Sequence, residues 1–178
     1  ASLRSLFATL AASAVPGCGF QQLLDELLGV VKAAPAPLSR QSLSSIAQCI
    51  SSLCGAVPPE QRTQTLQGFI AQLSDPGAPE QAKLLLLHAV GEIGKGFDLS
   101  GFALEKVLMA ALLEGSEDTK AAASLALGSL AMGATRQFLP YILQQVAAQT
   151  EIRYLLLQAL RQLITLKTAE EGKGSSEG

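Results

Sequence analysis

The feature that most constrains this chain is a phrase that returns. KLLLLHAVGEIG from Lys83, KAAASLALGSLAMG from Lys120 and RYLLLQALRQLI from Arg153 each open on a basic residue, then set small and branched apolar residues at helical spacing. Those positions are Leu86, Ala89, Val90 and Ile93, then Ala123, Ala126, Leu127 and Leu130, then Leu156, Ala159, Leu160 and Leu163. The basic residues stand 37 and 33 residues apart. Other helix-forming stretches, 102–113 and 136–148, fall between the copies, so one unit is two helices. A drifting period in the thirties, built from helix pairs, predicts an all-α fold: a right-handed α-solenoid in which each unit packs on its neighbours.

A fourth copy precedes these three. A shift of 40 residues sets Ile46, Ile50 and Leu53 on Leu86, Val90 and Ile93, with Leu43 where the basic residue would fall. Ser39 is placed to cap this helix, because its hydroxyl can accept an otherwise unpaired backbone N–H. Upstream, 3–13 reads as a helix with Leu3, Leu6, Phe7 and Leu10 on one face, ended by VPGCG. A second helix over 20–32 carries Leu23, Leu24, Leu27, Leu28 and Val31, and AAPAPL ends it. VPPE at 57–60 opens the next helix, through Leu66, Phe69, Ile70 and Leu73, with proline near the first turn. The last helix is expected over 151–166. The array then spans 1–166 with nine helices in about four and a half repeats, and 167–178, nearly free of apolar residues, reads as a flexible tail. An unpartnered first helix and a last one without a polar cap read as a section of a longer array.

Composition narrows the function classes. The formal charge of −2 is spread along the chain, which predicts neither a nucleic-acid partner nor an anionic membrane surface. No apolar run reaches the roughly 18–20 residues that span a bilayer. Arg4 and the apolar stretch after it faintly resemble a signal peptide, but the repeat uses that stretch as a helix. Cys49 and Cys54, five apart on one helix, suit neither a disulfide nor a zinc knuckle; with Cys18 they read as buried thiols in a reducing compartment, and the expected location is cytoplasmic and nuclear. His88 is the only histidine, and no GxSxG or CxxC occurs. Gly91, Gly94 and Gly96 lie within or after a helix, so they form no phosphate loop. The expectation is no catalytic residue, no cofactor and no metal. Gly91 and Gly128 are expected to mark close helix contacts.

Two stripes recur through the copies. Lys83, Lys120 and Arg153, each with an acid two or three residues before it, predict a ladder bridging neighbouring acids and helix ends, rather than a basic docking strip. If exposed, such a pair is worth about 0–1 kcal/mol. The second stripe sets Ser44, Gln48 and Ser51 in register with Leu84, His88 and Gly91, then Ala121, Leu125 and Gly128, then Tyr154, Gln158 and Arg161. It mixes polar and apolar residues, unlike the inward face. The second helix of each pair lines the concave surface of a solenoid, so Gln48, His88, Leu125, Tyr154, Gln158 and Arg161 are the candidate protein-binding residues.

LSRQSLSSIAQCISSL, LLLLHAVGEIGKGFDLSG, SEDTKAAASLALGSLAMG, FLPYILQQVAAQ and IRYLLLQALRQLI, in this order, resemble the cullin-associated, neddylation-dissociated proteins over roughly 15–165. The resemblance implies HEAT repeats, in an internal part of the later half of a much longer solenoid that wraps a cullin and its RING subunit. It implies a non-catalytic scaffold that disfavours modification of the cullin by the ubiquitin-like modifier and helps exchange substrate-receptor modules. No residue here matches the family elements that cover the modified lysine or enter the adaptor site, and the stretch after Thr165 departs from the family pattern. The alternatives are a HEAT scaffold for another client, such as a transport cargo or a phosphatase subunit, a HEAT-like enzyme such as a chromophore lyase, and a helical module for an apolar ligand.

Overall fold

Proline, glycine and capping serines set where the helices begin and end. The computed structural model describes residues 19–174, and every regular element among them is helical. These elements are α1 (Phe20–Ala33), α2 (Arg40–Ala56), α3 (Pro59–Leu73), α4 (Glu80–Gly96), a 3-10 turn at Ser100–Phe102, α5 (Leu104–Glu114), α6 (Glu117–Gly133), α7 (Thr135–Ala148) and α8 (Arg153–Gly174). This is the all-α helical repeat that the periodicity predicts. The helix expected over 3–13, and Cys18, lie outside the described residues. The chain divides into two units, Ala1–Ile93 and Gly94–Gly178.

In the first unit, α1 packs on α2 and buries Leu24 and Val31. Ser39 caps α2 as expected: its hydroxyl accepts the Ser42 N–H at 3.1 Å. That helix buries Leu43, Ala47, Ile50, Leu53 and Cys54. Pro59 occupies the first position of α3, where its missing N–H costs nothing. The Leu38 N–H donates to Gln81 Oε1 at 3.1 Å, tying the segment before α2 to α4. In α4, Leu84, Leu85, Leu86 and Leu87 are all buried. Four consecutive buried residues cover the full circumference, so this stretch is enclosed on every side.

In the second unit α6 is central, touching α5, α7 and α8. Ser116 caps it by accepting the Thr119 N–H at 3.2 Å, and Glu117 and Asp118 in its first turn complement the helix dipole. From Ala122 to Ala131 every residue except Leu125 is buried. Small residues make that possible. A Cβ on Gly128 would overlap the Ala159 carbonyl oxygen and lie 2.7 Å from Gln162 Cβ, so here the backbones of α6 and α8 meet. Ser124, wholly buried, donates its hydroxyl to the Leu155 carbonyl at 2.7 Å across the same contact.

Two boundaries differ from expectation. The helix expected to start at Phe102 is interrupted by Ala103, whose φ of 50° separates the 3-10 turn from α5. Before it, the Asp98 carboxylate accepts the Ser100 N–H at 2.9 Å, and that bond holds the carboxyl below its usual range. A left-handed alanine costs about 1–2 kcal/mol, which glycine avoids at the cost of a more flexible unfolded chain. Ala103→Gly is therefore expected to stabilise the protein by about 1 kcal/mol in urea titrations; a loss would mean the methyl group makes compensating contacts. At the other boundary, α8 continues past Leu166 to Gly174, through much of the stretch expected as tail. Burial is not what forms these last turns. Alanine, lysine and glutamate favour helix, Lys167 pairs with Glu170 at 3.9 Å, and the Thr168 hydroxyl donates to the Ile164 carbonyl at 3.1 Å.

Candidate protein-binding face

The basic residues of the repeat act along their own units. Lys83 Nζ donates to the Pro76 carbonyl at 3.4 Å and Arg153 Nε to the Val146 carbonyl at 3.0 Å, each seven residues back. Lys120 instead pairs with Glu117 at 3.3 Å. The ladder expected from sequence thus engages one acid, one loop carbonyl and one helix-end carbonyl, and each cation secures the entry of its own helix.

The mixed stripe resolves into three rows with different fates. Tyr154 is exposed, but its counterparts Ser44 and Ala121 are half-buried and Leu84 is buried. Arg161 is exposed, whereas its counterparts Gly91 and Gly128 are buried, Gly128 beneath α8. The stripe is therefore not one open face, and the expectation fails at Leu84, Gly91 and Gly128. The middle row alone keeps solvent access in every copy: Gln48 exposed, His88 and Leu125 half-buried, Gln158 exposed. A hydrophobicity pattern cannot separate the rows, because glycine and serine buried in a close helix contact look polar.

Other features bear on chemistry. Among the described residues no group of three or more His, Cys, Asp or Glu could hold a metal ion, and no helix is long and apolar enough to cross a membrane. Tyr141, against Glu105, has its hydroxyl pKa raised, first by burial and then by that carboxylate. Cys49 and Cys54 are free thiols; Cys54 is buried as expected, whereas Cys49 is only half-buried. Burial pushes Cys54 up to about 11 despite the opposing charge of Arg62. Native Cys54 is thus expected to react with an alkylating reagent at pH 8 at least about tenfold more slowly than in urea, since the thiolate is the nucleophile; equal rates would show that α2 opens readily.

Between α7 and α8 lies an apolar groove of about 490 Å³, lined by Leu139, Leu143, Leu160, Leu163 and Ile164, with Lys167 and Glu171 at its polar edge. It brings together no titratable pair suited to acid–base work. Periodicity does not mark it, because Leu143 and Ile164 stand outside the repeated apolar positions.

No family model matches the chain. It is 35% identical over 173 residues to Cullin-associated NEDD8-dissociated protein 1 of Dictyostelium discoideum, covering 96% of this chain and 14% of that protein. It is 35% identical over 156 residues to the protein of the same name from Arabidopsis thaliana, covering 85% of this chain and 13% of the relative. Cullin-associated NEDD8-dissociated protein 2 of Mus musculus is 34% identical over 131 residues, 71% of this chain and 10% of that protein.

Proposed function

The chain belongs to the cullin-associated NEDD8-dissociated family, and from that premise we propose that it is a non-catalytic HEAT-repeat scaffold segment contributing to the hold on a cullin and its RING subunit. The observation that carries this reading is the 35% identity across 96% of the chain, in a stretch that folds as helical repeats. Its role would be in the assembly of cullin–RING ubiquitin ligases and the exchange of their substrate receptors. Each unit offers its own part of the contact, Gln48 and His88 in the first and Leu125 and Gln158 in the second, since these positions keep solvent access in every copy.

The affinity expected of this stretch is modest. Specific interfaces bury about 1,200–2,000 Å² in total, and a span of 14% of a relative supplies a share of a larger contact. Linked patches raise one another's effective concentration, so one patch alone binds far more weakly than the set. The full 178-residue chain, immobilised and titrated with purified cullin–RING complex, is expected to bind with a Kd of about 1 μM or weaker. Gln48→Trp with Gln158→Trp should weaken binding at least about fivefold, while Lys106→Glu, exposed on α5, should leave it unchanged. The reading fails if cullin–RING complex at about 100 μM gives no binding. If Lys106→Glu releases the complex and the glutamine changes do not, the face is wrongly assigned.

A further inference from the structure

The connection from α4 to α5, residues 97–103, is the longest in the second unit and carries Phe97, Leu99 and Phe102. Connections usually run over the surface, but here Leu99 is 2% exposed and both phenylalanines are half-buried. The chain lies flat against the helices beside it. A Cβ on Gly133, the last residue of α6, would overlap the carbonyl oxygens of Gly94 and Phe97, so backbone rests on backbone there. From α7, Gln137 Nε2 donates to the Ser100 carbonyl at 3.3 Å and to the Glu105 carboxylate. One amide therefore holds the connection and the first turn of α5 together.

One residue works against this closure. Ala103 is exposed and sits at φ 50°, left-handed backbone that alanine disfavours and that an opening of the connection relieves. Gln137 is exposed too, so water competes for its bonds. The bonds from the Ser100 N–H to Asp98 and from the Phe102 N–H to the Leu99 carbonyl lie inside the connection and move with it. We propose that 97–103 is a strap that opens and closes while the helices around it stay folded, with Gln137 as its latch and left-handed Ala103 favouring release. Opening parts Ser100 and Glu105 from α7, returns Ala103 to right-handed backbone and brings Leu99 to water. Exposure of Leu99 is unfavourable, so the closed strap is the resting state. The device is a switch in which one side-chain amide sets the exposure of an apolar segment, and it stands apart from any hold on a cullin.

Limited digestion of the full native chain with chymotrypsin, which cuts after Phe and Leu, tests this. Where opening and closing outrun cleavage, the rate reports the open population. Cutting after Phe97, Leu99 or Phe102 is expected at least about tenfold faster than after Phe138, which is buried in α7. A local opening exposes little surface. The rate at the strap, taken relative to a free peptide of the same sequence, should therefore stay flat in urea below the unfolding transition. Gln137→Ala should raise that rate at least about fivefold, and Ala103→Gly should lower it about fivefold. Both variants should keep the helical circular dichroism of the parent. A strap cut no faster than Phe138, or one whose cutting climbs with urea in step with it, would mean that the connection opens only with the whole unit, and would overturn the proposal. So would a Gln137→Ala rate equal to that of the parent, or an Ala103→Gly rate that does not fall.

Discussion

Gly128→Ala is expected to destabilise the protein by about 3 kcal/mol, the upper end of the overpacking range. Elsewhere in a helix the same change is favourable, because glycine costs about 1 kcal/mol relative to alanine. The sign reverses here because the atom in the way is a backbone carbonyl oxygen, that of Ala159, rather than the end of a flexible side chain. The added methyl group can be accommodated only by separating α6 from α8, which also stretches the buried bond from Ser124 to the Leu155 carbonyl. Gly68, inside α3 with nothing within 4 Å of a would-be Cβ, is the control. Gly68→Ala should stabilise by about 0.5–1 kcal/mol. Urea titrations followed by far-ultraviolet circular dichroism suit a chain without tryptophan and would show the two changes moving in opposite directions. Equal and small effects would mean that α6 and α8 can separate without cost, and this close helix contact would then be loose in solution.

Leu127→Ala should cost about 2–5 kcal/mol, the usual consequence of emptying a fully buried leucine site. Leu127 is completely buried, on a helix with neighbours on three sides, so the surroundings have little room to collapse into the space. Leu125, two residues earlier on the same helix, is half-buried. Its replacement by alanine removes less apolar area from the protein interior and leaves no closed cavity, so about 1 kcal/mol is expected. Matched denaturant titrations of the two variants distinguish the faces of α6. A similar loss at both positions would show that the helix is rotated relative to its neighbours in solution.

Much of the fold is legible in the residues themselves. A repeat of three or four residues in the apolar positions locates each helix, prolines at 35, 37, 58 and 59 and the cap at Ser39 place several ends, and the returning phrase identifies helix pairs. The inward residues follow directly: Leu86, Ala89, Val90 and Ile93, then Ala123, Ala126, Leu127 and Leu130 are all buried. In the last copy Leu156, Ala159 and Leu163 are buried and Leu160 is half-buried at the groove. Apolar periodicity does not mark the helical run from Lys167 to Gly174, because intrinsic propensity and local pairing rather than burial carry those turns.

The candidate surface was less legible, for a definite reason. Hydrophobic periodicity reports the one face of a helix that must leave water, whereas a helix stacked between two others hides further faces. Where backbones approach closely, the requirement is small volume rather than hydrophobicity, so Ser124, Gly128 and Ala131 look like surface residues until a neighbour is placed over them. The sequence by itself therefore determined where the helices lie, which face of each turns inward and which family the phrases resemble. Only the tertiary structure decided which rows of the second face are covered, because burial there depends on whether another helix arrives at that position. That is why Gly128 and Arg161, equivalent in register, end in opposite surroundings: α8 lies over the first, and the second is exposed.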